Sequence, residues 1–310
     1  MIDLRRLRVL QAVAHYGTVT AAANALHMTP SAASQQVRQL GRDLGTVLLE
    51  PHGRRVRLTP AARGLLSHAA AIESRWQQAA AELSASNGRP AGVLRLAGFP
   101  TAICTLLTPI SQELEDANPN LTVQLRQAES ADCFELLFNG GADLAIVEAT
   151  PSGPAATDRR FDQRPLIDDP FELLVPEGHP LAARTSVRLE EAAEERWILC
   201  LPGSTSREHV LAACSPAGFS PSIAHEVQEW TVAAGMVAHR LGVALVPRLA
   251  QLPPGRPVTH LPIAADQAPS RRYLTCTRRG SRGSPAIAAA VDALHARAAI
   301  LEAELKTPAR

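Results

Sequence analysis

Apolar residues near the N-terminus recur at helical spacing. Leu4, Leu7, Leu10 and Val13 step by threes, which predicts an amphipathic first helix. Thr18 is a candidate N-cap for a short second helix built on Ala21, Ala22, Ala25 and Leu26. The chain then turns through His27 and Met28. Thr29 followed by Pro30 marks another helix start, because proline at the first helical position lacks an N–H that would have no helical partner anyway. In this third helix Ala33, Val37, Leu40 and Leu44 form a stripe expected to face a core. The opposite face carries Ser31, Gln35, Arg38 and Arg42, which offer hydroxyl, amide and guanidinium donors and include no acid. Such a helix can enter the major groove of DNA and bond to base edges and phosphates. The alternative is a helical hairpin whose polar face meets only water.

The segment Glu50 to Thr59 favours the helix-turn-helix. Arg54, Arg55 and Arg57 lie beside a turn at His52-Gly53, and Val56 and Leu58 alternate with them as in a half-buried strand. A basic hairpin at this place is a wing that reaches phosphate or the narrow minor groove. From Pro60 to about Leu83 one long helix is expected, roughly 36 Å at ~1.5 Å per residue. Its apolar positions Leu65, Ala69, Ile72, Trp76, Ala79 and Leu83 alternate steps of four and three, a coiled-coil seam suited to dimerisation with a second copy. Packing on its own domain is the alternative. The breaker Ser84 to Pro90, SASNGRP, closes the helix.

Beyond Ala91 the pattern changes to strands alternating with helices. Strands are expected at 93–97, 121–127, 143–147, 171–175, 197–199, 223–227, 243–246 and 272–277. Helices are expected at 101–115, 131–138, 189–195, 206–213, 231–240 and 285–305. Repeated β-α units predict an α/β architecture with largely parallel sheets. Ligands of such sheets bind at the carboxyl ends of strands, beside helix N-termini. Thr101, Ser130, Ser204-Thr205-Ser206 and Thr231 stand at those junctions, with plain N-capping as the alternative role for each.

Composition narrows the picture. At 310 residues, 46% hydrophobic and 20% charged, the chain has room for roughly two or three domains. From Met1 to Pro60 eight arginines face three acids (Asp3, Asp43, Glu50), an excess of +5 in a chain whose total is only +1. That concentration fits a polyanion partner. No apolar run is long enough for a membrane span, and Gln11 interrupts the early one, so a cytoplasmic protein with no membrane partner is expected. Cys104, Cys133, Cys200, Cys214 and Cys276 are odd in number and scattered, which argues against a disulfide framework and a zinc site. No Walker loop, GxGxxG or GxSxG occurs, and His225-Glu226 lacks the second histidine of HExxH. Neither catalytic residues, nor a metal, nor a cofactor are expected. A metabolite-binding protein whose N-terminal domain mainly serves oligomerisation is the competing class, and the +5 excess argues against it.

With these pieces placed, the chain resembles the LysR-type transcriptional regulators over its whole length. The likeness rests on LRRLRVLQAVAHYGTVTAAANALHMTPSAASQQVRQLGRDLG, the wing RRVRLTPA, and the later phrases ADLAIVE, LLVPEGHPLA and AAGMVAHRLGVALVP. It implies a winged helix-turn-helix at 1–59 and a dimerising linker helix and hinge at 60–90. It further implies a two-lobed α/β effector domain at 91–310, like type II periplasmic binding proteins. Lobe I would be about 91–161 and 266–310, and lobe II about 162–265. Implied partners are double-stranded promoter DNA, a small-molecule co-inducer, a homodimer or homotetramer, and RNA polymerase. The family's DNA contacts fall on Thr29, Pro30, Ser31, Ser34, Gln35, Arg38, Arg54 and Arg55. Its effector positions fall on Thr101, Ser130, Ser204, Thr205 and Trp230, and the dimerisation it implies is assigned to the seam read above, at Leu65, Ala69, Ile72, Trp76 and Leu83. Gly41 stands where the family usually has Glu, so the recognition helix is expected to fray early. Leu49-Glu50-Pro51 replaces an aromatic-Glu-Arg opening of the wing, and Pro30 replaces a frequent Gln. Some relatives sense peroxide through a cysteine pair in lobe II. Cys214 falls near the resolving position, but the reactive position falls on Thr205 or Ser206.

Overall fold

A computed structural model describes residues 3–52, 55–85, 89–264, 266 and 268–305. The chain folds into a helical head, a long connecting helix and two α/β lobes. In the head, α1 (Leu4–Tyr16), α2 (Val19–Ala25) and α3 (Pro30–Asp43) begin at Asp3, Thr18 and Thr29. Each of those side chains accepts a backbone N–H of the first turn, the usual satisfaction of an orphan donor. Leu7, Leu10, Val13, Ala33, Val37 and Leu40 meet in the head's core. Leu44 departs from its expected place: it is the C-cap of α3 and is 37% exposed. The helix does not fray at Gly41 either. Gly41 is buried inside it, and a Cβ there would stand 2.6 Å from the Thr46 carbonyl oxygen, so glycine lets the following loop cross close against the helix. The antiparallel wing, β1 (Leu49–His52) and β2 (Arg55–Leu58), follows. Thr59 ties the wing to the next helix, donating to the Val47 carbonyl at 2.8 Å and accepting from Ala62 N at 3.1 Å.

The connecting helix α4 (Pro60–Ala85) runs about as far as its pattern foretold. Its apolar stripe is divided. Ala69 is fully buried in the head's own core, and Leu65 and Ile72 pack at its margin. Trp76 and Leu83 are 56% and 74% exposed.

Lobe I contains β3 (Gly92–Gly98), then α5 (Pro100–Ala102), a π-helical turn (Ile103–Leu107) and α6 (Thr108–Ala117) in one run. β4 (Leu121–Gln127), α7 (Ser130–Asn139) and β5 (Leu144–Glu148) complete its first half. The long strand β6 (Phe161–Pro176) leads into lobe II, made of β7 (Arg196–Cys200), α8 (Thr205–Cys214), β8 (Ser222–Val227), α9 (Trp230–Ala238), β9 (Ala244–Pro247) and β10 (Val258–Pro262). The strand β11 (Ser270–Arg278) and helix α10 (Pro285–Leu305) return to lobe I.

One path of strands, β10-β6-β11-β5-β3-β4 with β9 also on β6, runs through both lobes. Up to Pro170 β6 pairs with β11; from Phe171 it pairs with β9 and β10, so a single strand crosses between lobes. Its first half, with Pro165 and many charges, does not read as a strand; only its apolar end at 171–175 does. The expectation of largely parallel sheets holds for β3 with β4 and β5 and for β7 with β8, while β6, β9, β10 and β11 pair antiparallel. The expected helix at 189–195 is a short 3-10 turn, Leu189–Ala192. Lobe I buries Leu94, Leu96, Leu106, Ile110, Ile146 and Leu294; lobe II buries Phe171, Leu173, Trp197, Leu199 and Leu245.

Candidate functional site

The polar face of α3 lies opposite its buried stripe, as its spacing requires. Thr29 caps the helix, accepting Ala32 N–H at 3.2 Å, and its hydroxyl is 3.0 Å from that of Ser31. Pro30, Ser31, Gln35 and Arg38 are exposed, and Ser34 is half-buried. Neighbouring polar groups are engaged within the head. Gln39 donates to Asp43 at 2.7 Å, Arg42 turns back to Gln39, and Arg6 pairs with Asp43. The Gln39 amide is the largest cause holding the Asp43 carboxyl below the usual range. The side chains of Gln35 and Arg38, by contrast, have no intramolecular hydrogen bond or ion pair among the described residues. A groove of about 1150 Å³ between α3, the wing and the start of α4 is edged by Ser34, Arg38, Arg42, Glu50 and Val56. In the wing Arg57 pairs with Glu50 at 2.9 Å. Arg54 lies outside the described residues, and of Arg55 only its place in β2 is described.

Three of the hydroxyls expected at an interlobe cleft, those of Thr101, Ser130 and Ser204, are already engaged within the protein. Thr101, at the start of α5, accepts from Arg271 Nη2 at 3.2 Å. Ser130, the first residue of α7, accepts the backbone N–H of Glu148 at 2.9 Å. Ser204 caps α8, accepting Arg207 N–H at 3.3 Å and donating to the Leu201 carbonyl at 2.8 Å, which is the plain capping role. Thr205 follows it, half-buried, and Trp230 opens α9 packed against lobe II.

The charges that organise this region escape the reading of helix starts. Arg271 and Asp169 are buried at 4% and 0% exposure and are 2.9 Å apart at the strand crossing. Asp169 also accepts from Tyr273 Oη at 2.7 Å and Leu249 N at 3.0 Å, so each of its oxygens has a donor, as a buried carboxylate demands. From the far lobe, His209 Nε2 reaches Glu148 Oε1 at 2.5 Å. Burial first, then the negative charge of Glu148, Asp132 and Glu229 against an opposing Arg271, raises the Glu129 pKa. A signal for Arg271 does exist in the sequence. It shares the inward parity of β11 with Tyr273 and Thr275, and a charge there requires a buried partner.

Comparison with known proteins fits both halves. Residues 4–63 match the family model for the bacterial regulatory helix-turn-helix protein, lysR family, and residues 87–299 match the LysR substrate binding domain. The RuBisCO operon transcriptional regulator of Allochromatium vinosum is 30% identical over 296 residues, 93% of this chain and 94% of the relative. The hydrogen peroxide-inducible genes activator of Dickeya chrysanthemi is 28% identical over 250 residues, 80% of each. A solved full-length OxyR from Pseudomonas aeruginosa, carrying one cysteine-to-aspartate substitution, superposes with a TM-score of 0.63 at 24% identity, covering 95% of both chains.

Proposed function

The chain belongs to the LysR family of transcription regulators, and on that footing we propose that Gln35 and Arg38 read base edges in the major groove of promoter DNA. The observation that carries this reading is their freedom: both are exposed on the face of α3 away from the core and unengaged, while adjacent polar groups are tied up within the head. Thr29, Pro30, Ser31 and Ser34 seat the helix start against the backbone, and Arg54 and Arg55 anchor the wing on phosphate. Each bidentate base contact contributes ~1–3 kcal/mol of discrimination. In a salt-resolved binding titration, Arg38→Ala is expected to lose specific affinity by about tenfold or more while non-specific binding weakens much less. Equal operator affinity for variant and parent overturns the assignment.

The protein is a regulator and not an enzyme, and residues 87–299 form its effector-binding domain. The proposed co-inducer is a small molecule taken between the lobes beside Thr101, Ser130, Ser204, Thr205 and Trp230. Binding, and not thiol oxidation, is favoured by the chemistry of the cysteines. Burial pushes the Cys200 and Cys214 thiols up to about 11, away from the thiolate that reacts with peroxide, and the start of α8 carries Thr205 and Ser206. The proposed assembly is a homodimer, or a tetramer built from dimers, joined on α4 through Trp76 and Leu83 with Leu65 and Ile72 flanking. Ala69 is spent in the head's core. Working in the cytoplasm, such a dimer presents two heads to two half-sites and places them for contact with RNA polymerase. Among the described residues no helix is long and apolar enough to cross a membrane.

A further inference from the structure

Helix α7 has one end in the cleft and the other on the head. At its N-terminal end Ser130 accepts from the backbone of Glu148, the residue that His209 of lobe II reaches. Toward its other end Glu135, Phe138 and Asn139 fall at i, i+3 and i+4, on one face. That face is docked on the last turn of α1. Glu135 Oε1 lies 2.6 Å from His15 Nε2, and its second oxygen accepts from the Tyr16 hydroxyl. Asn139 Nδ2 donates to the same hydroxyl at 3.1 Å. The Phe138 ring lies 5.5 Å from that of His15 and packs against the head's core. Arg160, itself held by Asp158, covers Phe138 at 5.7 Å and reaches His15 Nδ1 at 3.5 Å.

From this arrangement we propose that α7 is an intramolecular lever that holds the head on lobe I and carries displacements of the cleft to α1. The cleft end of the proposal rests on the effector-site reading above. A partly exposed His–Glu pair alone is a weak fastening. Here it is joined by an apolar plug, Phe138, and by a phenol with two partners. Burial and the Glu135 carboxylate raise the Tyr16 pKa, so the phenol stays protonated and donating at neutral pH. Gly17, at φ 74, ends α1 directly after Tyr16 and makes its last turn a terminal contact surface. A helix of 10 residues spans only ~15 Å, short enough to move as a rigid body. Linkage then requires the reverse effect: whatever DNA does to the head alters ligand affinity in the cleft by the same factor.

Hydrogen exchange on the full chain tests the lever without knowledge of the ligand. Tyr16→Phe, which removes only the hydroxyl and its two hydrogen bonds, should speed exchange of the amides at 12–17 about five- to thirtyfold. Phe138→Ala should speed it further. Ser130→Ala, at the cleft end, should also change exchange at 12–17, and that response should vanish in combination with Phe138→Ala. Unchanged exchange at 12–17 in both Tyr16→Phe and Phe138→Ala shows that the head is not held and overturns the proposal. Faster exchange in those two with no response to Ser130→Ala leaves a contact that transmits nothing, which overturns it equally. If a thermal-shift screen with amino acids and small carboxylates finds no ligand, the effector reading fails while the exchange results stand.

Discussion

On α3 the side chains proposed to face DNA run from Thr29 to Arg38 in one stretch, whereas Thr101, Ser130, Ser204 and Trp230, proposed for the effector, come from separate segments, as do Glu148 and Arg271. The first set needs only helical periodicity to share a face. The second needs β6 to cross between lobes and β11 to return beside it. The two regions also treat charge differently. The head leaves Gln35 and Arg38 unspent for a partner. The cleft locks Arg271 against Asp169 and Thr101 and sets His209 against Glu148. A surface that reads a polyanion keeps its donors free in water at little cost, while a buried interlobe charge must be neutralised within the protein.

The comparison breaks most visibly at Asp169. Asp169→Ala strands Arg271 in the interior and is expected to cost about 3–5 kcal/mol. In calorimetry the effector domain should unfold earlier; an unshifted effector transition contradicts the buried-pair account. In the head, the corresponding weak point is a close approach and not a charge. Gly41→Glu puts a side chain where the Thr46 carbonyl passes, with an expected loss of about 1–3 kcal/mol and a misplaced wing. Unchanged melting and unchanged DNA affinity would show that the loop yields freely. The smallest effect concerns Glu129. Its folded pKa is raised, so the stability it contributes is full below the ordinary carboxylate range and is lost as pH rises through the raised value. Glu129→Gln should therefore flatten the fall in melting temperature as pH rises above the ordinary carboxylate range. Parallel curves for variant and parent would deny Glu129 that role.

What the sequence made legible follows the same division. The head's helices, its caps at Thr18 and Thr29 and the extent of α4 were readable because each depends on neighbours a few residues apart. At Gly41 a departure from the family pattern looked like a weak helix end. Its cause is a loop five residues later, which no periodicity reveals. The stripe on α4 could be seen, but not that Ala69 turns to the head while Trp76 and Leu83 face outward, because the same spacing serves both. In the effector half the hydroxyls at helix starts were visible and their partners were not. Arg271, 170 residues beyond Thr101, bonds to it only because β11 lies where it does. His209 and Glu148 gave no sequence signal, since a half-buried helix position and a strand end say nothing of each other until the lobes are placed.

The most direct measurement is a footprint of the purified full chain on DNA flanking its own gene, across a range of salt, beside Arg38→Ala. The account predicts protection of a dyad-symmetric site that weakens steeply as salt rises and disappears in the variant. Protection that is indifferent to salt, or that persists undiminished in Arg38→Ala, would contradict the claim that the free face of α3 reads the operator.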